Sequence, residues 1–231
     1  MSPLGILTGM PVEANIARTA LSKAKADGLI EFADADVDLA RARSRQLIEN
    51  GASTLMSFGI AGGLSSDVKT GDLIIPTKII APDGTSFNTD FVWQKKVCRM
   101  LAEAGIPHHE GTMLGSNTAV AEADEKKSLA VQHQALAVDM ESHVVAEIAA
   151  QSGTSLRVVR AVADGANDTL PPAALAAMTE SGFLAQATKV TRHLFSHPGE
   201  LPQLLKLARN TQAALSALKR ATALSPNILL V

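Results

Sequence analysis

The chain has 231 residues, 46% of them hydrophobic and 19% charged, which excludes disorder, collagen and coiled coil. At this length about 70 to 75% of the unfolded surface is buried on folding, so the core needs neither metal nor disulfide. The single cysteine, Cys98, permits no internal bridge and suits a reducing cytoplasm.

Met1 to Leu7 lack the basic start and long apolar stretch of a signal peptide, and no apolar run of about 18 residues follows, so no membrane span is expected. The net charge of −2 conceals an asymmetry: residues 1–180 carry 15 basic and 22 acidic side chains, residues 181–231 six basic and one acidic. A basic tail of this density reads either as a solvated helix face or as a contact with an anionic surface. With no Tyr and one Trp, the stacking platforms of single-strand binders are missing, and no nucleic-acid partner is expected.

In chain order, Leu4 to Leu7 predicts a buried strand and Glu13 to Ala26 a helix. A second helix is predicted over Val37 to Glu49, capped by Asp36 and ended by Asn50-Gly51. Thr54 to Phe58 predicts a strand leading into a glycine turn, Gly59-Ile60-Ala61-Gly62-Gly63. Asp72 to Ala81, broken at Pro76, reads as an extended segment or strand pair, and Asp90 to Ala104 as a helix closed by Gly105 and Pro107. Strands near Gly111 to Leu114, Ala135 to Met140 and Leu156 to Val162 then alternate with helices over Glu122 to His133 and Glu141 to Gln151. Beyond Pro171-Pro172 the pattern is helical, from Ala173 to about Phe195 and from about Leu201 to Ala221. Residues 1–195 are read as one domain, and 196–231 as its helical extension, with Leu201, Leu204, Leu205, Ala208, Leu215 and Leu218 on one face.

Alternating strand and helix argues a mostly parallel α/β sheet, whose ligands sit outside the carboxyl ends of the strands. Three acids stand there: Glu13, Glu141 and Asp164, each directly after an apolar strand. A carboxylate in that setting is either a first-turn helix acid or a functional group, and three at one end of a sheet favour function. Metal signatures are missing: His143 and Glu147 form no His-Glu-x-x-His, and His108-His109 stands beside a proline. Cys98, flanked by Lys95, Lys96 and Arg99, reads as a helix filler.

The segments Phe58-Gly59-Ile60-Ala61-Gly62-Gly63-Leu64, Lys69 to Ile75, Ala137-Val138-Asp139-Met140-Glu141 and Val158-Val159-Arg160-Ala161-Val162-Ala163-Asp164 resemble the purine nucleoside phosphorylase and nucleosidase superfamily over about residues 4–195. The resemblance implies a doubly wound, mostly parallel, partly barrel-like sheet that cleaves the N-glycosidic bond of nucleosides with water or phosphate, without metal or organic cofactor. It implies that Asp164 is the general acid at purine N7, that Glu141 accepts the ribose hydroxyls, and that Met140 packs against the sugar. Glu13 falls on the acid that activates water, and Gly59, Ile60, Ala61 and Gly62 lie near the nucleophile. Ser116, Asn117 and Thr118 stand where the base is held. A homodimer or higher homo-oligomer is expected.

Departures accompany these matches. Ala163 stands where a serine often precedes the catalytic aspartate, Ile60 where nucleosidases commonly carry serine, and small residues replace the aromatic that stacks on the base. The stretch between Glu13 and Thr54 is short, and Asp34 to Arg45 is expected to reshape the wall near the nucleophile. If phosphate is the co-substrate, Arg41, Arg43 and Arg45 are candidate ligands, and otherwise they form a solvated helix face. The short early region, Ala163 and the basic Leu-rich tail resemble the hopanoid-associated branch, which is implied to release adenine from adenosylhopane. Such a lipid-linked substrate would bring the tail to the inner membrane surface. The rival readings are a soluble nucleosidase or phosphorylase for a small nucleoside, and a non-catalytic nucleoside-binding module.

Overall fold

The computed structural model describes residues 3–178, 197–225 and 227–231. Strand β1 (Leu4–Thr8) is followed by helix α1 (Pro11–Lys23), which begins two residues before the expected start because Pro11 suits the first helical position. Then come β2 (Gly28–Phe32), α2 (Val37–Glu49) and β3 (Thr54–Gly63). The Asp36 carboxylate accepts the Leu39 N–H and caps α2.

Short strands β4 (Leu73–Ile74), β5 (Lys78–Ile80) and β6 (Ser86–Asn88) lead into α3 (Phe91–Glu103), capped by Asp90. Next are β7 (His108–His109), β8 (Thr112–Gly115), α4 (Ala123–His133), β9 (Ala135–Asp139), α5 (Ser142–Ser152) and β10 (Ser155–Asp164). Helix α6 (Pro172–Met178), a 3-10 turn (Pro198–Glu200) and α7 (Leu201–Thr222) follow. Most of the helix expected from Ala173 to Phe195 lies outside the described residues.

The expected α/β class is the observed one: a twisted mixed sheet with helices on its faces. Strand β3 is its axis. It pairs in parallel with β1 over Thr54–Ser57 and with β10 along almost its whole length, then turns to pair with β9 in antiparallel register at Gly62 and Gly63. This change of neighbour gives the sheet its barrel-like opening.

Two expectations are corrected. The glycine segment 59–63 is the second half of β3 rather than a turn; glycine in a strand here marks close approach of other groups to the backbone. Gly28–Phe32, unassigned from sequence, is a strand in parallel register with β1. Its short run, interrupted by Glu31 and set directly after a helix, carries too weak a periodicity to separate strand from loop.

Helix α7 divides along its length. From Ala214 onward it is core, with Ala214, Leu215, Ala217, Leu218 and Ala221 buried in the same cluster as Met56, Phe58 and Val159. Its first turns are not: Leu201 and Leu205 are 47% and 50% exposed. The chain end is pinned as well, the Trp93 indole donating to the Ile228 carbonyl and the Asn227 amide to the Ala20 carbonyl. Leu218→Ala is therefore expected to cost about 2–5 kcal/mol, the range for deleting a buried leucine, against under about 1 kcal/mol for Leu205→Ala. Urea unfolding of both variants checks this, and equal losses would contradict the division.

Candidate active site

On the side of β3 facing β1 and β9, residues Phe58 to Ala61 have no strand neighbour, because β1 pairing ends at Ser57 and β9 pairing begins at Gly62. Unpaired backbone in a buried place must find other partners. Ile60 finds them in side chains: its N–H donates to Glu13 Oε1 at 2.8 Å, and its carbonyl accepts from Arg160 Nη1 at 3.2 Å. The gap is the floor of a pocket at the carboxyl ends of the strands, lined by Glu13, Ile60, Ala61, Gly62, Met140, Glu141, Arg160 and Asp164, among others.

Arg160, on β10, is fully buried and every nitrogen of its guanidinium is used. Nη2 lies 2.5 Å from Asp139 Oδ2, 2.5 Å from Ser57 Oγ and 3.3 Å from Glu141 Oε2, and Nε donates to Ser142 Oγ. Asp139 in turn accepts the N–H and hydroxyl of Ser142. This cation makes burial of three neighbouring carboxylates, Glu13, Asp139 and Glu141, tolerable.

Glu13 sits in the first turn of α1, where Oε2 also accepts the Met10 N–H at 2.8 Å. It is thus both a helix-terminal acid and a wall of the pocket. Burial raises its proton affinity above the ordinary glutamate range, opposed by Arg160 and by the N–H groups it accepts. Burial likewise lifts Glu141 to about 7, opposed by Arg160 and reinforced by the negative charges of Asp139 and Glu13.

Asp164 ends β10. Its register against β3 shifts between Val162 and Asp164, a bulge at Ala163 that brings the aspartate opposite Gly62 and puts both residues in the pocket wall. Burial raises its proton affinity, and the ammonium of Lys126, hydrogen-bonded to Oδ2, opposes the rise.

Three glycines leave the space these acids occupy. A Cβ on Gly59 would lie 2.7 Å from both Glu13 Oε1 and Arg160 Nη1, one on Gly9 would lie 3.0 Å from Glu141 Oε1, and one on Gly62 would lie 3.3 Å from Asp164 Oδ2. Gly59 and Gly62 are three residues apart, roughly 10 Å along a strand, so Glu13 and Asp164 stand at separate places along β3.

The remaining sequence candidates divide. Thr118 lines the pocket with Ala119 and Val120, but Ser116 and Asn117 do not: the Ser116 hydroxyl bonds the Thr118 carbonyl to close a local turn, and Asn117 Oδ1 bonds His143 Nε2. Arg41 is also displaced from the site. Its Nη1 pairs with Glu147 Oε2 at 2.5 Å across α2 and α5, outside the pocket, while Arg43 pairs with Glu31. Among the described residues the one cation lining the pocket is Arg160, and its nitrogens are committed.

Two further residues bear on the site, and the first falls within the Asp34 to Arg45 stretch expected to shape the wall near the nucleophile. Ala35, left-handed at φ +58, lines the pocket at the turn before α2, a conformation no alanine advertises. Lys126, given no role from sequence within the helix predicted over Glu122 to His133, is fully buried beneath Asp164. One group of potential metal ligands exists among the described residues, Cys98, His108 and Glu110, outside the pocket. There Glu110 is occupied by Lys95 and Gln94, and burial pushes the Cys98 thiol up to about 12.

Taken together, the fold and the pocket define an α/β protein with a carboxylate-rich site at the topological opening of its sheet. The phosphorylase superfamily pattern matches residues 35–196, and the chain belongs to that superfamily. It is 27% identical over 132 residues to 5'-methylthioadenosine/S-adenosylhomocysteine nucleosidase of Buchnera aphidicola, an alignment covering 50% of this chain and 57% of that relative. The chain therefore spans little more than half the length of the curated relative it matches. Its fold is that of the Helicobacter pylori nucleosidase of the same name, crystallised with butyl-thio-DADMe-Immucillin-A (TM-score 0.69, 17% identity, 95% of this chain and 97% of that one). It is equally close to futalosine hydrolase of Helicobacter pylori (TM-score 0.69, 16% identity, 94% and 96%).

The Glu141 carboxyl has a pH consequence. Because its folded-state proton affinity is raised, the stabilisation it contributes is fully present below the ordinary glutamate range and is lost as pH rises through about 7. Thermal unfolding of the ligand-free protein should show stability falling across that window, and Glu141→Gln should flatten the fall. An unchanged slope in the variant would contradict this assignment.

Proposed function

We propose that the protein hydrolyses the N-glycosidic bond of an adenine nucleoside. The observation that carries this reading is the placement of Glu13 and Asp164 at separate points of one pocket whose lining also holds Glu141 and Met140. Asp164, protonated, gives its proton to purine N7 as the bond from the sugar carbon breaks and the bonding electron pair leaves with the base, so adenine departs neutral. Glu141 accepts the ribose hydroxyls, and the carboxylates around the sugar favour the positive charge that develops there. Water adds to the sugar carbon and its proton passes to Glu13, whose raised proton affinity makes it a better base near neutrality. The products are free adenine and the free sugar.

Water is preferred over phosphate on electrostatic grounds. A divalent anion needs fixed cations, yet the lining carries Glu13, Asp139, Glu141 and Asp164 against an already committed Arg160, and Arg41 is tied to Glu147. The adenine assignment is supported by the relatives, whose names specify adenosine derivatives.

Asp164→Asn should retain the fold and lose on the order of 10² to 10⁴ in turnover, measured as adenine released from adenosine-type nucleosides. Near-normal release would remove Asp164 from the role. Glu13→Gln should abolish hydrolysis to a similar degree, and the sugar product should be free ribose with or without added phosphate; ribose 1-phosphate would reverse the preference for water.

A finer reading concerns the 5′ substituent. A lipid-linked nucleoside such as adenosylhopane is favoured by the exposed Leu201 and Leu205 in the first turns of α7, beside Lys206 and Arg209, in a helix whose other half is core. Because that half holds the fold, point changes test the idea better than truncation. Leu201→Ser combined with Leu205→Ser should weaken salt-sensitive binding to anionic vesicles and lower turnover of adenosylhopane, leaving adenosine unaffected. Equal turnover losses on both substrates, or no vesicle binding by the parent protein at low salt, would return the reading to a small soluble nucleoside.

A further inference from the structure

Lys126 is the one lysine among the described residues that is fully buried, and all three of its donors are used. Beyond Asp164 Oδ2, its Nζ donates to the Asp168 carbonyl at 2.7 Å and to the Gly165 carbonyl at 3.2 Å. A buried ammonium is costly, and tying down a surface loop does not require one. The backbone of that loop is already held by Asp168, whose Oδ2 accepts the Gly165 N–H at 2.9 Å and whose Oδ1 pairs with Lys206 of α7. What the ammonium adds is a positive charge on one oxygen of Asp164, leaving Oδ1 uncommitted among the described residues.

We propose that Lys126 is a positioning residue for the reaction, holding Asp164 by Oδ2 so that the other oxygen meets the base, and stabilising the carboxylate that remains once the proton has gone. This rests on the reading of Asp164 as general acid. It also accounts for Ala163: where a serine would support the aspartate from its own strand, here the support comes from α4, across the pocket wall. The proton balance is simple. Before transfer the pair is a neutral carboxylic acid beside an ammonium; afterwards it is an ion pair, so the attraction between the two grows as the proton leaves Asp164 for the purine.

Among the described residues the charges that bear on Asp164 are few. Asp168 faces it from its own loop with Lys206 behind, β3 and β9 present Gly62 and Val138, and Glu13, Asp139, Glu141 and Arg160 complete the pocket lining. Burial raises the proton affinity of Asp164, and Lys126 is the main opposing influence.

Lys126→Met should therefore let Asp164 keep its proton to higher pH. The alkaline fall of the pH–rate profile should move up by about one to three pH units, the usual effect of removing an adjacent opposite charge. Turnover at the optimum should drop about tenfold or more, since a weaker, less constrained acid delivers the proton, with KM little changed. Lys126→Arg, keeping the charge, should return the alkaline limb towards its original place. Titration of the Asp164 carboxyl by carbon-13 NMR of labelled aspartate, assigned with Asp164→Asn, gives the same shift without any substrate. If Lys126→Met does not fold, Lys126→Gln keeps a donor without the charge and is read in the same two ways. An unmoved limb and an unmoved carboxyl titration in a folded variant would overturn the proposal and leave Lys126 a structural tether. A parent protein that releases no adenine would instead overturn the proposed function, while the carboxyl titration would still decide whether Lys126 governs Asp164.

Discussion

The buried guanidinium of Arg160 is the interaction on which the site depends. Glu13 comes from the first turn of α1, Asp139 and Glu141 from the end of β9, and burial by itself pushes the two glutamates towards their neutral forms. Arg160 lies at β10 where it reaches Asp139, Glu141, Ser57 and the Ile60 carbonyl together. Arginine suits the position because its planar fork meets several acceptors at once and it does not lose its charge when buried. The result is a cluster of acids around one cation, held next to a strand whose backbone needs the same side chains for its own hydrogen bonds.

That strand explains why the site is where it is. β3 runs on after β1 has stopped, and before β9 has joined, so a few residues of sheet are left with one neighbour. The fold satisfies this exposed edge with Glu13 and Arg160 rather than with another strand. A structural debt and a chemical site are thus the same feature. At the other end of the pocket the bulge at Ala163 turns Asp164 to the opening, and Lys126 arrives from α4 to meet it. The two cations stand in separate places, Arg160 among Glu13, Asp139 and Glu141 and Lys126 at Asp164.

Burial divides α7 into two halves. Its second half is packed against β10 and α1 and belongs to the core, whereas its first half reaches past the loop that follows Asp164, with Lys206 paired to Asp168. A helix shared in this way joins the core to the neighbourhood of Asp164 without lining the main pocket.

The alternation of strands and helices, the caps at Asp36 and Asp90, and the three carboxylates after apolar strands were legible in the chain, because each depends on local periodicity or on neighbours a few residues away. So was the resemblance carried by the segments ending in Glu141 and Asp164. The path of Gly59 to Gly63 was not: glycines have the same local signature in a tight turn and in a strand that other groups approach closely. Arg41 read as a plausible anion ligand because helix position says nothing about which distant acid a long side chain will meet, and Glu147 lies 106 residues away. The burial of Lys126 was not legible beside Asp124, Glu125 and Lys127 for the same reason. Sequence alone determined which acids are available and at which end of the sheet they lie. Only the tertiary structure decided which cation each of them meets, because burial and pairing of charge are set by contacts between residues far apart in the chain.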